Sequence, residues 1–220
     1  MHMKKLELAL LLPINLMEKS FGYNFIKRIM DITGSLLLLI LSWPLFIIIP
    51  ILIKIDSKGP IFFIQKRLGL KGNIFNTIKF RSMVAKAEDL LKTEKELMEE
   101  YLKCYKLAED PRITRTGYFL RKSSLDELPQ IFNILAGHMS LVGPRPIVIV
   151  ELEKYGKYKD EFLSVKPGLT GLWQVSGRNS ISYEERIQLD IKYIRECSIW
   201  MDIVILVKTF YAVISTRGAC

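Results

Sequence analysis

Residues Ile32 to Ile53 read ITGSLLLLILSWPLFIIIPILI, a run without a single charged side chain. As an α-helix, at about 1.5 Å per residue, this run would be roughly 33 Å long, enough to cross the apolar core of a bilayer. Length and composition alone therefore favour an ordinary transmembrane helix.

The centre of the run contains a proline, which argues against a straight helix. Pro44 lacks a backbone donor and clashes with the carbonyl group four residues earlier, so the sequence predicts a sharp kink at Ser42-Trp43-Pro44. The hydroxyl of Ser42 could hydrogen-bond a backbone group that the kink frees.

Both flanks of the run are basic. The residues concerned are Lys27, Arg28, Lys54, Lys58, Lys66 and Arg67. A spanning helix usually has its Lys and Arg residues on the cytoplasmic side, whereas here both ends have that signature. We therefore predict a re-entrant helix–break–helix over residues 23–56, which enters one leaflet and returns. A spanning helix and a buried helix of a soluble core are the alternatives.

The composition of the whole chain agrees with a membrane protein that meets anionic partners. Half of the 220 residues are apolar, and the formal net charge is +9. A basic excess suits nucleic acids, an anionic lipid leaflet or phosphate-bearing substrates. The chain has no helix-turn-helix, zinc-finger or RNA-binding signature, which together with the apolar run argues against a nucleic-acid partner. Its three cysteines are far apart and lack metal-site spacing, which is typical of reduced thiols in a cytoplasmic setting.

The rest of the sequence predicts a mainly α fold with a small β-hairpin, in the α+β class. Residues 1–22 have the pattern of a short amphipathic segment that is not cleaved. Residues 57–220 are predicted to form a compact cytoplasmic domain with interfacial helices at its C-terminal end. Residues 199–214 are apolar but contain Asp202 and Lys208, which favours a helix in the membrane interface.

Periodicity places the elements of this domain. A glycine-containing loop between two apolar β-type segments predicts a hairpin. Apolar residues at helical spacing predict the helices, and one short strand is expected in a glycine-rich loop. The hairpin is expected at 61–64 and 74–80, the helices at 84–107, 126–135, 147–163 and 183–196, and the strand at 172–175.

Two adjacent carboxylates lie in the stretch Ser123-Ser124-Leu125-Asp126-Glu127-Leu128-Pro129-Gln130. The local pattern is that of a helix start, because Ser124 and Glu127 have the spacing of a capping box and acidic residues suit a first turn. In a second interpretation Asp126 is itself the N-cap, which places Pro129 in the first turn, where proline is tolerated.

Basic residues surround this acidic pair in the sequence, and several lie in turns defined by glycine and proline. They are Lys79, Arg81, Arg112, Arg115, Arg121, Lys122, Arg145 and Arg178. Arginine binds phosphate through paired hydrogen bonds, and neighbouring carboxylates can hold Mg²⁺ against a diphosphate. A carboxylate can also attack phosphorus as a nucleophile. The pattern therefore indicates a diphosphate site at the acidic pair.

Six segments, taken in order, carry a resemblance to a known family. They are Lys27 to Asp31, Asp56 to Phe63, Lys79 to Met83, Leu120 to Gln130, Met139 to Pro146 and Lys166 to Asn179. They resemble the monotopic phosphoglycosyl transferases, also called the bacterial sugar transferase family. Six ordered segments are far more specific than any single motif. The form GLWQVSG at Gly171 to Gly177 is most similar to the catalytic part of undecaprenyl-phosphate hexose-1-phosphate transferases.

The resemblance implies a reaction in two steps. Asp126 would attack the β-phosphate of a UDP-sugar, UMP would leave, and undecaprenyl phosphate would then take the sugar-1-phosphate from Asp126. Glu127 would bind Mg²⁺. The phosphates would be contacted by Lys79, Arg81, Arg121, Arg145 and Arg178.

The resemblance also implies a setting for this reaction. It would be the first membrane step in the assembly of a polysaccharide such as an exopolysaccharide or O-antigen, or of another glycoconjugate. The protein would lie in the bacterial inner membrane, on its anionic inner leaflet, with the catalytic domain facing the cytoplasm. UDP-galactose or UDP-glucose is favoured as the donor. The alternative is a non-catalytic, membrane-anchored scaffold that binds anionic lipids, which leaves the acidic pair among arginines unexplained.

Two positions depart from the family pattern. The family's re-entrant helix breaks at a Ser-Pro pair, whereas Ser42-Trp43-Pro44 is one residue longer. The family often has an Asp where this chain has His138, so any role of that Asp does not carry over, and we expect His138 at the surface.

Four further residues have open interpretations. Trp173 and Gln174 lie beside Arg178 in the glycine-rich loop and are expected to pack that loop, with stacking on uracil or sugar as the alternative. Asp190 is expected on a solvated face or in a local ion pair. Asp202 lies in an apolar stretch, where an ionisable residue points to a specific role.

Overall fold

The computed structural model of this chain describes residues 21–85, 110–177 and 181–214, together with positions 87, 89 and 98. Most of the predicted segment at 1–22 and of the predicted helix at 84–107 lies outside these residues. The same is true of Cys104, Cys220 and Arg178. The described part is mostly helical and contains two small sheets, which agrees with the predicted α+β class.

The apolar run forms two helices that meet at a sharp bend. Helix α1 spans Phe21–Ser42, helix α2 spans Leu45–Asp56, and their axes differ by 60°. The Ser42 hydroxyl donates to the carbonyl oxygen of Leu38 at 2.6 Å. The predicted kink is thus confirmed. The predicted use of the Ser42 hydroxyl is not, because Leu38 lies four residues before Ser42 itself, whereas Pro44 removes the donor for the carbonyl of Ile40. Within the described ranges, no single helix has the length and hydropathy to cross a membrane, whereas the two bent helices meet those criteria together.

The predicted hairpin is present. Strands β1 (Phe62–Leu68) and β2 (Ile74–Phe80) pair antiparallel, with Phe62 opposite Phe80 and Leu68 opposite Ile74. Lys71 and Gly72 reverse the chain between them with φ angles of 59° and 75°.

A short turn joins two helices at the acidic pair. Helix α3 spans Arg115–Ser123, a 3₁₀ turn covers Leu125–Glu127, and helix α4 spans Gln130–Leu135. Both predicted N-caps are wrong, since Ser124 makes no side-chain capping bond and Pro129 precedes α4. Ser124 instead ends α3 in the left-handed conformation, at φ 58°, and its N–H bonds back to that helix. An N-cap needs extended backbone, which this conformation excludes.

The glycine-rich loop contributes a strand earlier than expected. Strand β3 (Ser140–Val142) pairs in parallel with β4 (Gly168–Thr170), while residues Leu172–Ser176 form helix α6. The predicted strand at 172–175 is therefore wrong. The pairing depends on Gly168 because a Cβ there would collide with the backbone of Gly143. The alternation of apolar and polar residues, from which strands are predicted, does not reveal such a contact between two backbones.

The remaining elements follow the predicted extents closely. The segment predicted as a helix at 147–163 consists of a 3₁₀ helix at Ile149–Tyr158, broken at Gly156 with φ 49°, and of α5 at Lys159–Leu163. Helix α7 spans Tyr183–Glu196 and α8 spans Ile199–Ile214.

Two apolar clusters hold the acidic turn (the 3₁₀ turn at Leu125–Glu127) in place. The larger one surrounds β3 and α7, and the smaller one joins α2, the hairpin and α3 through Ile53, Phe80 and Leu120. Leu125 and Leu128, which flank the acidic pair, pack against the smaller cluster. The chain direction at the pair is thus fixed by apolar packing on both sides.

Polar contacts dock α1 onto this domain. Asp31 is buried and accepts hydrogen bonds from the Ser140 hydroxyl and the Leu141 N–H, both at 2.8 Å. Arg28 donates to the last carbonyls of α4, at Ile134 and Leu135. Arg28 thereby binds acceptors at the end of α4, of which the Ile134 carbonyl also accepts the N–H of Gly137 at 2.9 Å.

Helices α1 and α8 are joined by a buried ion pair. The ammonium of Lys27 lies 2.7 Å from a carboxylate oxygen of Asp202, which is 0% exposed. The Tyr193 hydroxyl donates to the other oxygen at 2.7 Å. Asp202 therefore has a specific role, as expected, and that role is to connect helices.

Candidate active site

Three separate segments bring charged side chains to the acidic turn. Lys79 comes from the end of β2, Glu127 from the 3₁₀ turn and Arg145 from the loop after β3. One Glu127 oxygen lies 2.6 Å from the Lys79 ammonium and 3.1 Å from the Arg145 guanidinium. Their side chains are 17%, 18% and 33% exposed, so the cluster faces a sheltered cleft and not open solvent.

The two adjacent carboxylates differ in their electrostatic surroundings. Burial raises the pKa of Glu127, but the charges of Lys79 and Arg145 outweigh it and hold that pKa well below the ordinary value. Burial and the charge of Glu127 raise the pKa of Asp126, against the opposing effect of Lys79 and Arg121. Such a separation of pKa values is a common sign of carboxylates with different tasks.

The predicted basic residues divide into two groups. Lys79 and Arg145 bind Glu127 directly, and the charge of Arg121 acts on Asp126 while its Nε donates to the Ser82 hydroxyl at 2.9 Å. Arg81 is not brought to the acidic pair. Its guanidinium donates to the Ser57 and Lys58 carbonyls after α2, at 2.7 and 3.0 Å.

Arg112 is also engaged elsewhere, because two of its guanidinium nitrogens bind Asp110 at 2.7 Å. A phosphate-binding role for Arg81 stays a prediction, as does the role of Arg178, which lies outside the described residues.

The acidic turn opens into a small cleft. Its lining residues are Arg67, Thr77, Lys79, Glu127, Gln130, Arg145, Pro146, Gly168 and Leu169. Three of the lining side chains are cationic and one is a carboxylate. The cleft is therefore suited to an anionic ligand that carries several oxygens.

Six of the lining residues had no predicted role in the site, and Arg67 and Gln130 are two of them. The Arg67 guanidinium donates to the Pro146 carbonyl at 3.0 Å and lies 3.5 Å from Glu151. Gln130 is 2% exposed and is the first residue of α4. Only the position of Gln130 had a usable signal in the sequence, since it follows the acidic pair by one helical turn.

The other residues with open interpretations are now placed. Trp173 is buried and packs under the Arg186 guanidinium, 4.6 Å from the ring centre, as expected for a loop-packing role.

Asp190 is not on a solvated face, because it is 1% exposed and accepts from the Tyr155 hydroxyl at 2.8 Å. The spacing of Asp190 along its helix did not distinguish a buried position from one on a solvated face. His138 is exposed, as predicted, and stacks on Phe75.

The donor set of the site fits Mg²⁺ bound together with a diphosphate. Among the residues that the structure describes, no three His, Cys, Asp or Glu side chains form a metal cage. Mg²⁺ rarely needs one, because it commonly takes one or two carboxylates and completes its shell with substrate phosphates and water. Glu127 supplies such a carboxylate at the cleft, and Asp126 is its neighbour in the chain.

The chain was compared with known proteins. The family model described as "Bacterial sugar transferase" matches residues 22–216. The UDP-galactose-lipid carrier transferase of Erwinia amylovora is 45% identical over 200 residues, which are 89% of this chain and 42% of that protein. The undecaprenyl-phosphate galactose phosphotransferase of Salmonella typhimurium is 46% identical over 200 residues, again 89% of this chain and 42% of the relative.

A shorter relative is matched along most of its length. The exopolysaccharide production protein ExoY of Rhizobium meliloti is 43% identical over 197 residues, which are 88% of this chain and 87% of ExoY. The chain thus spans less than half the length of the first two relatives and most of the third.

Proposed function

The chain belongs to the bacterial sugar transferase family, and on this basis we propose that it transfers a sugar-1-phosphate from a UDP-sugar to undecaprenyl phosphate. The observation that carries the proposal is the cleft in which Lys79 and Arg145 surround Glu127, next to Asp126. A carboxylate beside a cationic cleft provides both a nucleophile and an anion-binding site. The named activities of the relatives support the same reaction class.

In the first step a carboxylate oxygen of Asp126 attacks the β-phosphorus of the UDP-sugar. An oxygen–phosphorus bond forms, the bond between this phosphorus and the bridging oxygen breaks, and UMP leaves with the electron pair. In the second step a phosphate oxygen of undecaprenyl phosphate attacks the same phosphorus. The Asp126 carboxylate is regenerated, and undecaprenyl diphosphate sugar is released.

A covalent intermediate suits the charges of the two substrates. The donor diphosphate and the lipid phosphate are both anionic, so their direct approach is repulsive. With Asp126 holding the sugar-1-phosphate, UMP departs before the lipid phosphate arrives, and one cationic cleft serves both steps.

Lys79, Arg145 and Arg121 would stabilise the negative charge that builds up on the phosphoryl oxygens. Glu127 would hold Mg²⁺ at the diphosphate, and the bound ion would act as a Lewis acid there. The low pKa of Glu127 keeps this carboxylate ionised and ready for a cation.

For the membrane, we propose that α1 and α2 form a re-entrant hairpin in the inner leaflet, with the catalytic domain on the cytoplasmic side. Large apolar side chains are exposed on both helices and on α8. They include Leu37, Ile40, Leu41, Trp43, Ile47, Ile55, Trp200, Phe210 and Tyr211. Such a surface needs an apolar environment, and the basic flanks suit an anionic leaflet.

The donor is proposed to be UDP-galactose, with UDP-glucose as the second candidate. The names of two relatives specify galactose. ExoY is named for exopolysaccharide production, which agrees with an initiating step of polysaccharide assembly.

The proposal is tested by measuring UMP release from a panel of UDP-sugars by purified protein with Mg²⁺ and undecaprenyl phosphate. We expect sustained release with one hexose donor, dependent on the lipid phosphate. Asp126→Asn should abolish both release and the covalent intermediate, because an amide cannot act as this nucleophile. Asp160→Asn, the same change at an exposed aspartate of α5, should leave the rate unchanged. Normal turnover by folded Asp126→Asn would refute the mechanism, and inactivity of folded wild-type protein with every donor would favour the lipid-binding scaffold.

A further inference from the structure

Gln130 lines the cleft, and its side chain carries a donor group that is not used. Gln130 is 2% exposed and lines the cleft together with Lys79, Glu127 and Arg145. Its Nε2 is buried and has no hydrogen-bond partner in the described part of the chain. Burying an amide without a partner destabilises the folded state, so a native protein rarely keeps one without a use.

The backbone places Gln130 on the same side as the acidic pair. Leu128 and Pro129 both have helical φ and ψ angles, so the 3₁₀ turn runs into α4 without a change of direction. Residues three and four positions apart on such a stretch are neighbours. Gln130 therefore lies one turn beyond Asp126 and Glu127, and it is more buried than Glu127.

The surroundings indicate which kind of atom would complete the Gln130 amide. The orphaned group is a donor and needs an acceptor oxygen. The cationic side chains of Arg67, Lys79 and Arg145 line the same space and favour an anionic acceptor. Phosphate oxygens are anionic and accept hydrogen bonds without donating any.

We propose that Gln130 is a substrate-binding residue whose Nε2 donates a hydrogen bond to a non-bridging oxygen of the donor's β-phosphate. This inference rests on the proposed function and assigns one contact within it. The β-phosphate is the group that Asp126 attacks, so an amide one turn away from Asp126 meets the phosphate and not the distal uridine. The contact would hold the phosphorus in place during attack.

The experiment compares the binding of UDP and UMP by calorimetry, with Mg²⁺ present, using the full chain in detergent. Gln130→Met keeps the length of the side chain and removes its donors. We expect UDP to bind roughly tenfold to a hundredfold more weakly to this variant than to wild type, the range for a hydrogen bond to a charged acceptor. UMP, which lacks the β-phosphate, should bind equally to both. The matched control is Gln188→Met, at an exposed position of α7.

Stability separates this role from a structural one. A structural hydrogen bond would make Gln130→Met less stable, whereas removal of an unpartnered buried amide should leave the thermal unfolding midpoint unchanged or raise it. Gln130→Glu is a second variant of the same shape, whose ionised carboxylate cannot donate and repels phosphate. It should weaken UDP binding at least as much.

Several results would overturn the assignment. Unchanged UDP binding in either folded variant would remove the contact. An equal loss for UMP would move it to the nucleoside monophosphate, and a loss seen with UDP-galactose but not with UDP would move it to the sugar. Failure of wild-type protein to bind UDP or UDP-galactose would instead contradict the proposed function itself.

Discussion

At the scale of single residues, the two neighbouring carboxylates of the acidic pair lie in different electrostatic surroundings, which suits the two tasks proposed for them. Glu127 is held ionised by Lys79 and Arg145, while burial and the charge of Glu127 raise the pKa of Asp126. A carboxylate whose pKa is raised is a better nucleophile once ionised, but less of it is ionised at low pH. The division between a charged cation ligand and a more basic nucleophile suits transfer through a covalent intermediate.

This difference predicts the pH dependence of the first step. The attacking group must be ionised, and the pKa of Asp126 is raised to about 6 from the ordinary value of 3.8. The kcat/KM for UMP release should therefore be low below that pKa, rise as the pH passes through it and level off above it. We expect a value roughly tenfold lower at pH 5 than at pH 7.

The measurement is single-turnover UMP release without undecaprenyl phosphate, so that ionisation of the lipid phosphate has no influence. Thermal unfolding at both pH values is the control for stability. A rate that stays constant from pH 5 to 7 would contradict the assignment.

The site was predictable from sequence where the signal was local. Adjacent acids among turn-associated basic residues identified Asp126, Glu127, Lys79 and Arg145. Arg81 lies apart from the acidic pair and binds the turn after α2, a position that depends on how α2 packs on the hairpin. Such a contact between distant segments leaves no pattern in the sequence.

At the scale of elements, the bent pair α1–α2 is the feature most clearly encoded by residue type. A proline in the middle of an apolar run predicts a kink wherever the run is helical. The strand at 172–175 was wrong because β4 is placed by a glycine–glycine contact between β3 and β4, and its short, irregular segment has no alternation. Elements set by side-chain pattern were therefore predictable, and elements set by backbone proximity were not.

Pro44→Ala should push the bent pair toward a spanning helix. The substitution restores a backbone donor and removes the clash, so that α1 and α2 can continue as one helix. The test is thiol labelling of single cysteines placed at Phe21 and Lys58, which flank the pair and are exposed.

In sealed vesicles of one orientation, we expect both positions of the Pro44 protein to be labelled from the cytoplasmic face. With Pro44→Ala, a measurable fraction of one position should be labelled from the opposite face. Labelling that stays on one side in both proteins would exclude Pro44 as the cause of the re-entrant path.

At the scale of the whole molecule, the two ends of the described chain are fastened to each other. Lys27 near its start and Asp202 near its end form the buried pair between α1 and α8, supported by the Tyr193 hydroxyl. Both helices have exposed apolar surfaces. The pair thus joins the two helices with exposed apolar surfaces into one unit.

Breaking this pair on one side should cost considerable stability. Lys27→Met leaves the Asp202 carboxylate buried without its cation, a loss of about 3 kcal/mol, which corresponds to roughly 6–12 °C in the unfolding midpoint. Lys27→Met combined with Asp202→Asn should be less destabilised than the sum of the single variants, because no buried charge is left.

The readout is thermal unfolding in detergent. Lys159→Met is the matched control, since Lys159 pairs with Glu153 at the surface and should change the midpoint by about 2 °C or less. Additive single effects of Lys27→Met and Asp202→Asn would show that the two side chains act independently.

The docking of α1 through Arg28 and Asp31 has a consequence for how the lipid substrate is found. Arg28 hydrogen-bonds the end of α4, and Asp31 hydrogen-bonds β3. The acidic turn is therefore held at a constant distance from the membrane surface in which α1 is proposed to lie. In the proposed reaction, a lipid phosphate would then reach Asp126 by lateral diffusion within the membrane plane, and its search would have two dimensions instead of three. The encounter rate would be proportional to the number of carrier lipids per unit of membrane area. Diluting a fixed amount of carrier with inert lipids would therefore lower the rate of transfer, just as a smaller amount of carrier would.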